Sequence, residues 1–147
     1  FPASQKVLLT RTIPQLVHRG WNAGGTILIV DDEEVVRNLA GSMLKKMGFA
    51  VMTANDGKEA VEIYRRYSDQ IQLVLLDLLM PNLDGVETFR ELVKIQPSVC
   101  AVLSSGYEEQ VATKQFTGTG LAGFIQKPYN FEQLVTAIKQ AMDNRKG

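Results

Sequence analysis

From Thr26 onward the chain alternates short apolar runs with amphipathic stretches, and this alternation limits the fold more than any other feature. The runs are TILIVD (26–31), FAVMTA (49–54), IQLVLLD (71–77), VCAVLS (99–104) and AGFIQ (122–126). They are short, with little polar interruption and several β-branched residues, as strands covered on both faces are. The first intervening stretch places Val36, Leu39, Met43, Leu44 and Met47 on one helical face, with Gly48 as a stop. Asp56 suits the cap of a helix carrying Ala60, Val61, Tyr64 and Tyr67. Asp84 and Glu87 have capping-box spacing before a helix that buries Val86, Phe89, Leu92 and Val93. Asn130 and Gln133 repeat that spacing before Phe131, Leu134, Val135, Ile138 and Met142. A weakly periodic short helix fits 108–116. Five strands alternating with five helices imply an α/β fold, a parallel sheet with helices on both faces and right-handed crossovers.

Residues 1–25 have no clean period and close on WNAGG, so they read as a tail or interdomain linker ahead of a domain at 26–147. The start has neither a signal-peptide layout nor an initiator Met, and the chain is expected to be cut from something longer. Lys plus Arg and Asp plus Glu both number 16. That balance gives no electrostatic footprint for nucleic acid or an anionic membrane through this chain. Cys100 is the single cysteine, which excludes an internal disulfide and a CxxC metal site, and it reads as a buried strand residue in a reducing cytoplasm. No apolar run approaches the ~20 residues a membrane helix needs.

In an open parallel sheet, ligands bind beyond the carboxyl ends of the strands. Strand one ends in Asp31-Asp32, followed by Glu33-Glu34. Strand three ends in Asp77, strand four in Ser104-Ser105-Gly106, and strand five at Lys127-Pro128. Singly, most have bland readings. Asp32 to Glu34 suit a helix start, Ser105 a turn, Lys127 the surface. Asp77 is harder to dismiss, because a carboxylate directly after Leu73–Leu76 is desolvated unless paired. Together, crowded carboxylates raise one another's pKa values unless a cation joins them. An all-oxygen site of this kind suits Mg²⁺, which also holds a phosphate oxygen. A lysine and a hydroxyl then suit the other phosphoryl oxygens, and a carboxylate can itself be the nucleophile.

These residues resemble the receiver domain of response regulators in two-component signalling, over about 26–145. The matching pieces are ILIVDDEE, LVLLDLLMPNLDG, VLSSGY and GFIQKPY, in the family's order and spacing. The resemblance implies a flavodoxin-like, doubly wound five-stranded sheet of order 2-1-3-4-5. It implies Asp77 as phosphoacceptor, taking a phosphoryl group from a histidine kinase or a histidine phosphotransfer domain. It implies Mg²⁺ held by Asp32, Asp77 and the backbone carbonyl of Leu79, with Asp31 acting mainly through water. Ser105, chosen over Ser104 by register, becomes the switch hydroxyl, Lys127 the partner of the phosphoryl oxygens, and Phe124 the aromatic that changes rotamer. Met80-Pro81 would turn the Leu79 carbonyl toward the metal, and Lys127-Pro128 is a candidate cis peptide.

Two positions depart from the family's usual polar choices. Leu79 cannot orient an attacking water, and Tyr107 is bulky, which together imply slow self-dephosphorylation. Gly106 leaves the cleft open to a donor. GTGLAG (118–123) matches a dinucleotide fingerprint, but it precedes a strand instead of following one. His18 is the only histidine, and no ATP-binding domain accompanies it, so the chain receives phosphate and does not originate it. A Mg²⁺-dependent aspartyl phosphohydrolase and an interaction domain without phosphorylation stand as rival readings. FPAS at the start resembles the end of a hybrid sensor kinase's ATPase domain, which favours a C-terminal receiver of such a kinase over a stand-alone regulator. Leu8, Leu9, Ile13, Leu16 and Val17 of the linker would dock on this domain or on a neighbour, and a homodimer is a further partner left open. The output surface is expected between strand four and the last helix, including Tyr107, Lys114, Phe116 and Phe124.

Overall fold

A computed structural model describes residues 25–78, 84–106 and 122–146. Five strands run β1 (Thr26–Val30), β2 (Ala50–Ala54), β3 (Ile71–Asp77), β4 (Ala101–Ser105) and β5 (Gly123–Gln126). The helices described are α1 (Glu34–Lys46), α2 (Gly57–Tyr67), α3 (Gly85–Ile95) and α4 (Phe131–Lys146). The sheet is wholly parallel in the order β2-β1-β3-β4-β5, as the resemblance implied. The short helix expected at 108–116 lies outside the described residues.

Strand alternation divides the core in two. Leu28, Val30, Val74, Leu76, Ala101 and Leu103 pack with Ala60, Tyr64, Phe89 and Leu92, beneath α2 and α3. Ile27, Ile29, Leu73, Leu75, Val102 and Ile125 pack with Leu44, Met47, Leu134 and Ile138, beneath α1 and α4. This is why the strands read as continuous apolar runs: both faces are covered. All three caps read from the sequence form. Asp56 Oδ1 accepts from Glu59 N–H (2.8 Å), and Asp84 Oδ1 from Glu87 N–H (2.9 Å). Asn130 and Gln133 bond reciprocally, each backbone N–H to the other's side-chain oxygen at 2.8 Å. Gly48 ends α1 at φ 101°, a conformation open to glycine.

One expectation fails. Leu39 does not lie on the buried face of α1 but is 54% exposed, beside Val35 at 77%. The helix turns Ala40, Gly41 and Leu44 inward instead. A Cβ at Gly41 would sit 3.8 Å from side-chain carbons of Ile29 and Val51, so the small residues let α1 approach the sheet. Among the described residues, no helix is long and apolar enough to cross a membrane.

Candidate functional site

The carboxyl ends of β1, β3 and β5 deliver the predicted acids and lysine to one place. Asp31 follows β1 and Asp77 closes β3; they are 2% and 5% exposed. Asp32 is exposed. Each of the three offers a carboxylate oxygen, and these oxygens lie within 4.8 Å of one another. Lys127 stands one residue beyond β5 and bridges two of them: Nζ is 2.7 Å from Asp31 Oδ2 and 3.2 Å from Asp77 Oδ1. Alternation accounts for the meeting. Asp31 shares parity with Ile27 and Ile29, Asp77 with Leu73 and Leu75, and Lys127 with Ile125, all on the α1/α4 side.

Backbone contacts fix each residue. Glu33 N–H donates to Asp31 Oδ1 (2.9 Å), and Asp31 N–H to the Ala54 carbonyl (3.2 Å). Directly after Asp77, Leu78 N–H donates to Ser104 O (3.0 Å), and Gly85 N–H donates to Leu78 O (2.8 Å). A Cβ on Gly85 would meet Asp77 O and Leu78 Cα at 2.7 Å, so only glycine lets α3 begin this close to the acid. Lys127 N–H donates to Ser105 O (2.7 Å), and the Lys127–Pro128 peptide is cis.

The charges are unbalanced. Burial, then the neighbouring Asp31, push Asp77 up from 3.8 to about 6; the Lys127 ammonium opposes this and does not overcome it. Burial acts to lower Lys127, but its hydrogen bond to Asp31 and the charges of Asp77 and Asp31 hold the ammonium above its ordinary range. One ammonium contacts both buried acids, and Asp77 is still left above its ordinary range. The donors are oxygens only, and their excess negative charge is what a hard divalent cation offsets.

Ser104 and Ser105 are both buried; Ser104 is the register partner of Asp77, so burial does not separate the two. Ser105 shares parity with Ala101 and Leu103, on the side where Phe124 packs. The Leu79 carbonyl, the Met80-Pro81 turn, Tyr107, Lys114 and Phe116 lie outside the described residues.

Two neighbours went unread in the sequence. Arg37 Nη1 donates to the Asp31 carbonyl at 2.7 Å. Its only signal was a cation placed early in the helix that follows the acids. Tyr129, after the cis proline, has its phenol pushed up to about 12 by burial, and its hydroxyl has no hydrogen-bond partner among the described residues. Nothing local distinguished it from a loop tyrosine.

A doubly wound sheet with an acid cluster and a lysine at its carboxyl edge defines an aspartate-centred phosphoryl or cation site. The response regulator receiver domain model matches residues 27–139, and the chain belongs to that family. Its acidic triad is typical of the family's Mg²⁺-binding site, and it is a two-component signalling module with a phosphoaspartate-type pocket. The chain is 32% identical to the sensor kinase CckA of Brucella abortus over 84% of its own length and 13% of the kinase's. It is 30% identical to the chemotaxis protein CheY of Thermotoga maritima, over 80% of this chain and 97% of that one. It superimposes on the CheX–CheY–BeF3–Mg²⁺ complex from Borrelia burgdorferi with TM-score 0.73 and 27% identity, covering 81% of this chain and 87% of that one. The chain spans only 13–32% of several larger curated relatives.

Proposed function

We propose that the domain, residues 26–147, takes a phosphoryl group from a phosphohistidine onto Asp77 and thereby changes the surface it offers a partner. The observation that carries this reading is the Lys127 ammonium, which bridges Asp31, 96 residues earlier in sequence, and Asp77 at the sheet's carboxyl edge. An Asp77 carboxylate oxygen attacks phosphorus as the N–P bond breaks, and the departing imidazole keeps the electron pair and takes a proton from solvent. Lys127 moves from Asp77 to a phosphoryl oxygen and neutralises part of its charge. Asp31, Asp32, Asp77 and the Leu79 carbonyl would hold Mg²⁺, which supplies the positive charge that keeps Asp77 ionised and the phosphoryl oxygens neutralised. The Mg²⁺ in the Borrelia CheX–CheY–BeF3 complex supports that choice of cation.

Ser105 is tied to Lys127 through its carbonyl and lies on the face where Phe124 packs, which suits the pair as a switch. Val35 and Leu39 line an apolar groove of about 310 Å³ with Pro128 and Tyr129 beside Lys127. That groove gives a histidine-bearing donor domain an apolar footing next to the acceptor. The likeness to the sensor kinase CckA supports a sensor kinase as parent; we place residues 1–25 as the linker of a hybrid form of it, with the domain in the cytoplasm.

Phosphotransfer tests the reading. A histidine phosphotransfer domain carrying labelled phosphate is mixed with the chain, with and without a Mg²⁺ chelator. Label should move to the wild type in Mg²⁺ and not to Asp77→Asn. Equal labelling of both would overturn it.

A further inference from the structure

We infer that Arg37 is a positioning residue for the acidic pocket, pinning the backbone of Asp31 from helix α1. Its Nη1 donates to the Asp31 carbonyl at 2.7 Å. That carbonyl lies beyond the last ladder pair of β1 and β2, Val30 with Ala54. Among the described residues Arg37 forms no ion pair and spends its charge on a backbone oxygen. Hydrogen bonds from charged donors are stronger than neutral ones, and a planar guanidinium holds its direction.

The remaining holds on Asp31 are weaker or are used by the reaction. Its N–H reaches Ala54 O at 3.2 Å, and its Oδ1 bonds Glu33 within the same loop. Its Oδ2 bonds Lys127, which the phosphoryl group recruits in the function proposed above, on which this inference rests. Arg37 is therefore the side-chain restraint on Asp31 that stays in place when cation and phosphoryl group arrive. It also fixes where the loop carries Asp32, whose exposed carboxylate has no burial to orient it. Partners that orient ligands in this way typically change metal affinity 10–100-fold.

The test uses the full chain with Arg37→Met, which keeps the stem and removes the donors, Arg37→Lys, and Asn38→Ala on the exposed side of α1 as control. Mg²⁺ affinity is measured by calorimetry, and exchange of the Glu33 amide by NMR in chelator. Arg37→Met should weaken Mg²⁺ about 10-fold and speed Glu33 exchange by a similar factor. Arg37→Lys should recover much of both, and Asn38→Ala should change neither. Unchanged affinity and exchange in Arg37→Met would overturn the inference. If the wild type binds no Mg²⁺, the reading of the pocket falls and Glu33 exchange alone decides: faster exchange upholds Arg37, and unchanged exchange overturns it.

Discussion

Replacing Asp77 by Asn removes one of three negative charges that face a single lysine, and the metal-free protein should become more stable at neutral pH. The folded protein holds Asp77 at about 6 against an ordinary 3.8, so between those values it binds more protons than the unfolded chain. Stability therefore falls as pH rises through that window and stays low above it. At about 1.4 kcal/mol per pH unit, ionising Asp77 in place costs about 3 kcal/mol at pH 7. Asn keeps the shape and an oxygen toward Lys127 while abolishing that cost. Urea unfolding in chelator, repeated from pH 4 to 7.5, should show Asp77→Asn ahead by about 1–3 kcal/mol at pH 7 and level with wild type near pH 4. Mg²⁺ at ten times its Kd should return about 1.4 kcal/mol to the wild type and narrow the gap. An Asp77→Asn protein no more stable than wild type at pH 7, or a gap independent of pH, would mean that Asp77 carries no such ionisation cost in the folded protein.

Other changes carry their own expectations. Gly85→Ala should cost about 2 kcal/mol or more, because its Cβ lands 2.7 Å from Asp77 O and Leu78 Cα, and Mg²⁺ affinity should fall with it; thermal melts and calorimetry check both. Leu39→Ala should stay within about 0.5 kcal/mol of wild type, whereas Leu44→Ala should lose about 2–5 kcal/mol in urea unfolding. Leu79→Asn should shorten the lifetime of the phosphorylated domain, measured by loss of label; an unchanged rate would refute that role.

Much of the fold was legible because its signals are local. A capping side chain reaches only three residues ahead, so Asp56, Asp84 and Asn130 could be placed from spacing alone. The pocket was legible because a parallel sheet brings all strand ends to one edge, so Asp31, Asp77 and Lys127 could be gathered without knowing any contact. The face of α1 was not. Apolar spacing put Leu39 on one face with Val36, Met43, Leu44 and Met47, yet Leu39 is exposed. The sheet selected the small residues Ala40 and Gly41, because they permit closer packing. Arg37 went unread for a related reason: hydropathy places a cation at the surface but does not say which oxygen it binds. The lysine bridge joins Asp31 and Asp77, whose pairing depends on the assembled sheet.

The most direct test of the account is whether Asp77 becomes an acyl phosphate. The chain and Asp77→Asn are incubated with Mg²⁺ and a small acyl-phosphate donor and weighed by intact mass spectrometry. One phosphoryl group should be added to wild type in Mg²⁺, none when Mg²⁺ is chelated before the donor is added, and none to Asp77→Asn. Phosphorylation of Asp77→Asn to the same extent, or of wild type at another residue, would contradict it.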